Sequence, residues 1–137
     1  MDGLRSESRL VSFGADAGVD AALDVAGPEL RTVVEYTAEA FRTLYVGPAV
    51  ADTYDDDADR EAYFERVHSY VQLDFAERDL FEEDVFPRQG RVRTLATVMD
   101  DAVVVRILRG TEGVVLSTTP EADYAAVAEA AADAIAV

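Results

Sequence analysis

The chain has no cysteine, no lysine and a single histidine in 137 residues. Without cysteine there is no disulfide, thiolate nucleophile, iron–sulfur cluster or cysteine-based zinc site. Without lysine there is no Schiff-base chemistry. The lone His68 excludes a multi-histidine metal site within one chain. No apolar run approaches the ~20 residues that span a bilayer. The N-terminal stretch "MDGLRSESRLVSFGAD" lacks a basic region followed by an apolar block, so no signal peptide is expected. These absences point to a soluble, cytoplasmic chain with no membrane partner.

What is present is mostly acid and small apolar residues. Twenty-eight acids face 12 basic residues, all arginine, for a net charge of -16. Such charge repels itself at low salt and destabilises the compact state. At molar salt the Debye length falls to about 3 Å and the repulsion is largely screened. An acidic, lysine-free, alanine- and valine-rich composition resembles proteins of halophilic archaea. Half of the residues are apolar, which argues against disorder and allows a core. The length fits one domain. We expect residues 16–137 to form it, behind a flexible N-terminal segment, 1–15.

Local patterns give an α+β order. "ADAGVDAALDVA" places Val19, Ala22, Leu23 and Ala26 on one helical face, and Gly27-Pro28 ends it. "ELRTVVEY" alternates as a strand. Thr37 reads as the N-cap of a helix over "AEAFRTLYV". "AVADTYDDD" reads as a loop. A long helix follows, with Tyr63, Phe64, Val67, Tyr70, Val71 and Phe75 on one arc. The acidic segment 74–90 continues as helix or as a connection, bounded by Pro87 and Gly90. From Arg91 to Thr118 three strands turn at Asp100-Asp101 and at Gly110–Gly113. Thr119-Pro120 then reads as the start of a last helix. The expected fold is a four-stranded, mainly antiparallel sheet, one strand plus a C-terminal meander. About four helices cover it on one face.

The acids around His68 invite a metal-site reading, which fails on spacing. Asp55, Asp57 and Asp59 fit the first three positions of a calcium loop, but Arg60 and Arg66 occupy the glycine and bidentate-glutamate positions. The acids instead suit a helix N-terminus and a solvated face. No metal and no cofactor are expected. His68 has no nucleophile or activated-water motif to serve, so no catalytic residue is assigned and a non-enzymatic role is expected.

A two-residue turn at Asp100-Asp101 splits the meander into two faces. One is almost purely apolar, with Val92, Thr94, Ala96, Val98, Val103, Val105, Ile107, Val114 and Leu116, and should be covered by helices. The other mixes arginine with apolar groups. Its candidate partner-binding residues are Arg91, Arg93, Leu95, Val104, Arg106 and Leu108, with Arg106 opposite Leu95. Between Arg88 and Arg109 the sequence holds five arginines and two acids. Arginine mixed with apolar groups matches protein-interface composition. Nucleic acid is disfavoured by the net charge and by the lack of a helix-turn-helix with a basic second helix. A docking module, probed first as a homodimer, is one reading. The other is a small-ligand sensor whose pocket lies between sheet and helices and is lined by Tyr63, Phe64, His68 and Tyr70.

The stretches "LRTVVEYTAEAFRTLYV" and "VVVRILRGTEGVVLSTTPEADYAAVAEAA" resemble a family of small uncharacterised haloarchaeal proteins, from about Leu30 to Ile135. No activity comes with that resemblance. The element order is also similar to roadblock- and profilin-type modules. That resemblance implies dimerisation and a signalling or scaffold role.

Overall fold

The computed structural model describes residues 4–51 and 57–135. Part of the "AVADTYDDD" loop, residues 52–56, lies outside them. The strands are β1 (Leu4–Arg5), β2 (Leu30–Thr37), β3 (Phe41–Val46), β4 (Thr94–Val98), β5 (Val103–Arg109) and β6 (Glu112–Thr118). The helices are α1 (Ala15–Ala26), the single turn α2 (Pro48–Ala51), α3 (Asp57–Leu80) and α4 (Tyr124–Ile135). All six strands form one antiparallel sheet in the order β1-β3-β2-β6-β5-β4. The expected four strands become six, because β1 and β3 extend the sheet beyond β2.

The helix expected over 38–46 is β3. Thr37 does accept hydrogen bonds from the N–H groups of Glu39 and Ala40, at 3.2 and 3.1 Å. A hydroxyl satisfies N–H groups two and three residues ahead in a turn as it does at a helix start. Here the turn joins β2 to β3, closed by Thr37 N–H to Ala40 C=O at 2.8 Å. The alternation over Phe41–Val46 then wins over the helical register. The C-terminal helix also starts later than Thr119. Asp123 caps it, accepting from Ala126 N–H at 3.2 Å. The acidic segment continues α3 to Leu80 and adds a π-turn, Phe81–Val85.

Helices cover both faces of the sheet, not one. Under α1 and α4 lie Val33, Leu44, Val103, Val105, Ile107, Val114 and Leu116. These include five of the nine residues assigned to the apolar face; of the other four, Val92 and Thr94 are half-buried and Ala96 and Val98 are exposed, because β4 is the edge strand beyond the reach of α1 and α4. The two alanine-rich helices approach closely there: a Cβ on Gly18 would sit 2.5 Å from Ile135 Cγ2. On the second face α3 lays Phe64, Val67, Val71 and Phe75 over Val34, Tyr36, Leu95, Val104, Leu108 and Val115. Fully burying a side chain such as Phe64 contributes roughly 1.5–3 kcal/mol. Tyr36 presses on Gly113 from this side; a Cβ there would lie 2.6 Å from its hydroxyl. Glycine at 113 is therefore required by the ring, not by backbone conformation.

The N-terminal segment expected to be flexible contributes β1, paired to Val46 and Tyr45. Its residues 8–11 wrap the carboxylate of Glu35, which is fully buried on β2. Glu35 accepts from Ser8 Oγ and Arg9 N–H at 2.7 Å, and from the N–H groups of Leu10 and Val11 at 3.2 Å.

Candidate functional site

The arginine-bearing sheet face is not open. Arg106 sits opposite Leu95 as expected, but α3 covers it. Arg106 Nε donates to Asp74 Oδ2 at 3.0 Å and Nη2 to Asp74 Oδ1 at 3.4 Å. Its Nη1 donates to Thr97 Oγ1 at 2.6 Å and Val104 C=O at 3.0 Å. Both partners of the ion pair are buried. Burial pushes the Asp74 carboxyl above its ordinary range, while Arg106 pulls it down. Burial likewise pushes the Tyr36 phenol up, with Asp74 adding and Arg106 and Arg78 opposing.

Of the six residues assigned to docking, Arg106 and Leu108 are buried beneath α3, and Leu95 and Val104 are half-buried there. Their shared face has found its partner within the chain. Arg91 and Arg93 precede β4; Arg91 and Arg93 are exposed. Sequence reasoning missed Asp74, although it stands three residues after Val71 on the inward arc of α3. An acid among apolar neighbours at helical spacing was the available signal.

The four residues of the sensor reading sit in different surroundings. Phe64 is in the core, and Tyr70 is 71% exposed. His68 donates from Nε2 to Thr37 C=O at 2.9 Å and lies against Phe41, with ring centroids 5.2 Å apart. Gln72 reaches the same carbonyl at 3.1 Å. This flank of α3 is a clamp on the β2–β3 turn. Tyr63 borders a cavity of about 110 Å³ with Met99, Ala102 and Val104. That is below the ~300–1,000 Å³ of a typical ligand site. Among the described residues no three His, Cys, Asp or Glu side chains group as metal ligands would.

What the molecule presents outward is the β4 edge. Met99 N–H bonds Ala102 C=O at 2.8 Å across the turn. Because hydrogen-bonding direction alternates along a strand, Leu95 and Thr97 also face β5. Thr94, Ala96 and Val98 then turn their N–H and C=O groups away, where the sheet has no further strand among the described residues. Val98 and Met99 are 59% and 49% exposed. Beside this edge runs an outward stripe of α3: Tyr63, Tyr70, Leu73 and Leu80, all exposed. With Arg66 and Glu77 between them the spacing alternates three and four, the pattern of a helix-pairing seam. The stripe lies on the β4 side of α3, because Tyr63 lines one small cavity with Met99 while His68, on the opposite flank, holds Thr37.

A sheet flanked by α1 and α4 on one side and a long helix on the other defines a roadblock/LC7-type fold. A roadblock/LC7 domain from Streptomyces avermitilis superposes with a TM-score of 0.57 at 16% identity, covering 91% of this chain and 93% of that one. The gliding protein MglB from Thermus thermophilus gives 0.57 at 17% identity, with 96% of each chain covered. A structure described as MglB with tetrameric arrangement gives 0.56 at 18%, covering 96% and 95%. The chain itself belongs to the family of the domain of unknown function DUF7522, whose model matches residues 16–136. Comparison with curated proteins finds no match. No helix among the described residues is long and apolar enough to cross a membrane.

Proposed function

We propose that this chain is a non-enzymatic regulatory or interaction module that works as a homodimer, joined edge to edge through β4. The observation that carries the reading is the unpaired outer edge of β4 beside the exposed apolar stripe of α3. An exposed edge templates pairing with another strand unless it is blunted. This edge carries no proline or lysine, and its last residues are apolar. Two copies related by a twofold axis would continue the sheet and bring their α3 stripes alongside each other. The tetrameric arrangement of the MglB neighbour supports assembly as a use of this fold.

Ala96→Pro tests it. Ala96 N–H points outward, so proline removes no bond within the chain and is tolerated on an edge. It deletes the central pair of bonds between copies, about 1 kcal/mol each. Sedimentation should show a dimer for the parent chain and a folded monomer for the variant. A variant that still dimerises with unchanged affinity would refute the assignment of the edge.

The same proposal places the protein in a high-salt cytoplasm, on the strength of its charge of -16. Thermal melts should rise steeply between about 0.1 M and molar KCl as self-repulsion is screened. A melting temperature flat over that range would remove this part of the reading.

A further inference from the structure

An open groove of about 720 Å³ lies between the end of α3, the lead-in to β4 and the β5–β6 turn. Arg78, Arg91, Arg93 and Arg109 border it, with Asp79 and Glu82. Most of these charges are already committed. Arg78 pairs with Asp79 at 3.0 Å and donates to the carbonyl of Gly110. Arg109 donates to Leu108 C=O at 2.8 Å. Glu82 accepts Val92 N–H at 2.8 Å. Arg91 and Arg93 are left: exposed, and without an ion-pair partner among the described residues.

At the other end of β4 the signs are reversed. Asp100 and Asp101 form the exposed β4–β5 turn. Among the described residues the turn's one bond to a side chain is made by its backbone, the Asp101 carbonyl accepting from Arg31 Nη1 at 3.1 Å. Seven residues of extended chain separate Arg93 from Asp100, about 23 Å at ~3.3 Å per residue. The two charge pairs cannot meet within one chain.

They meet in a second copy. A twofold antiparallel pairing sets some residue opposite its own counterpart. The five residues of β4 all pair only when that residue is the middle one, Ala96, whose backbone groups face outward. Val98 then lies opposite Thr94 of the second copy, and Met99 opposite its Arg93. Beyond Met99 the chain bends back toward β5, so the Asp100–Asp101 turn of one copy ends the ladder beside the Arg91–Arg93 lead-in of the other, whose side chains are long enough to reach it. We propose that the Arg91–Arg93 lip of each copy receives the Asp100–Asp101 turn of the other, twice by symmetry, and so fixes the register of the dimer. The ladder itself stops at Thr94, because Val92 N–H is taken by Glu82. The flanks are joined by side chains alone.

This inference rests on the edge-to-edge reading above, and mixing two variants tests it separately. Variant one carries Arg91→Glu and Arg93→Glu; variant two carries Asp100→Arg and Asp101→Arg. Every substituted side chain is exposed, so circular dichroism should show both folded in the KCl that folds the parent. Each alone sets like charges together at both ends, and in the lowest KCl that keeps the parent folded, where such charges are least screened, its self-association should weaken at least tenfold. Mixed, the two restore opposite charges at both ends, and sedimentation should recover a heterodimer near parental affinity. The proposal is overturned if either variant dimerises like the parent, or if the folded mixture stays monomeric. Either result alongside a monomeric Ala96→Pro variant would leave the edge reading standing. A parent chain that stays monomeric at high concentration would overturn both.

Discussion

Arg106→Gln is expected to lower stability by about 3–5 kcal/mol, the range for breaking a buried ion pair by removing one partner. The change leaves the buried Asp74 carboxylate without its charged partner, and Thr97 Oγ1 and Val104 C=O without theirs. The double replacement Asp74→Leu with Arg106→Met should recover most of the loss, because it removes both charges at similar volume. Denaturant melts in molar KCl on the single and double variants check this. A single variant within about 0.5 kcal/mol of the parent, typical of an open-surface substitution, would mean that α3 does not close this face. The pH dependence has a definite sign. The folded Asp74 carboxyl binds its proton more readily than the unfolded one, whose ordinary value is 3.8. Its contribution is fully present below that value and is lost as pH rises through the raised folded value. Acidification should therefore not unfold the protein through Asp74.

Glu35→Ala should be nearly as damaging, by about 2–4 kcal/mol, because it strips several part-buried donors of a charged, fully buried acceptor. Ser8 Oγ and the N–H groups of Arg9, Leu10 and Val11 all point at this carboxylate. Detachment of residues 8–11 is the cheapest response, since water then satisfies those groups. Trypsin should cut the variant after Arg9 under conditions in which the parent chain survives. Unchanged cleavage together with an unchanged melt would show that the segment is held by something else. Other carboxylates also hold it: Asp16 accepts Ser8 N–H at 3.0 Å, and Glu112 accepts Ser12 Oγ at 2.7 Å.

The mixed sheet face shows how a sound local reading reaches a different functional place. Placing Leu95, Arg106 and Leu108 on one face needs only a period of two and a two-residue turn. Whether that face is open depends on α3, whose apolar arc has to find it from a distance. Arg106 and Asp74 lie 32 residues apart, and no spacing rule links them. With that face covered, the open surface moves to the β4 edge and to the outer stripe of α3. Helical periodicity puts Tyr63 and Tyr70 on the apolar arc of that helix, yet both are exposed.

By itself the sequence determined the chemistry that is absent, the net charge, α1 with its Gly27 stop, β2, the C-terminal meander and its two faces. Each depends on composition, or on a period and a turn within about ten residues of chain. The tertiary structure alone decided that Phe41–Val46 is a strand, because six residues fit either period and β2 supplies the missing ladder. It alone turned residues 4–11 into part of the fold, through the Glu35 carboxylate, 25 residues from Leu10. It alone separated the buried arginine from the exposed ones. A hydrogen-bonded edge or a desolvated charge exists only relative to what lies beside it, and those neighbours are distant in sequence.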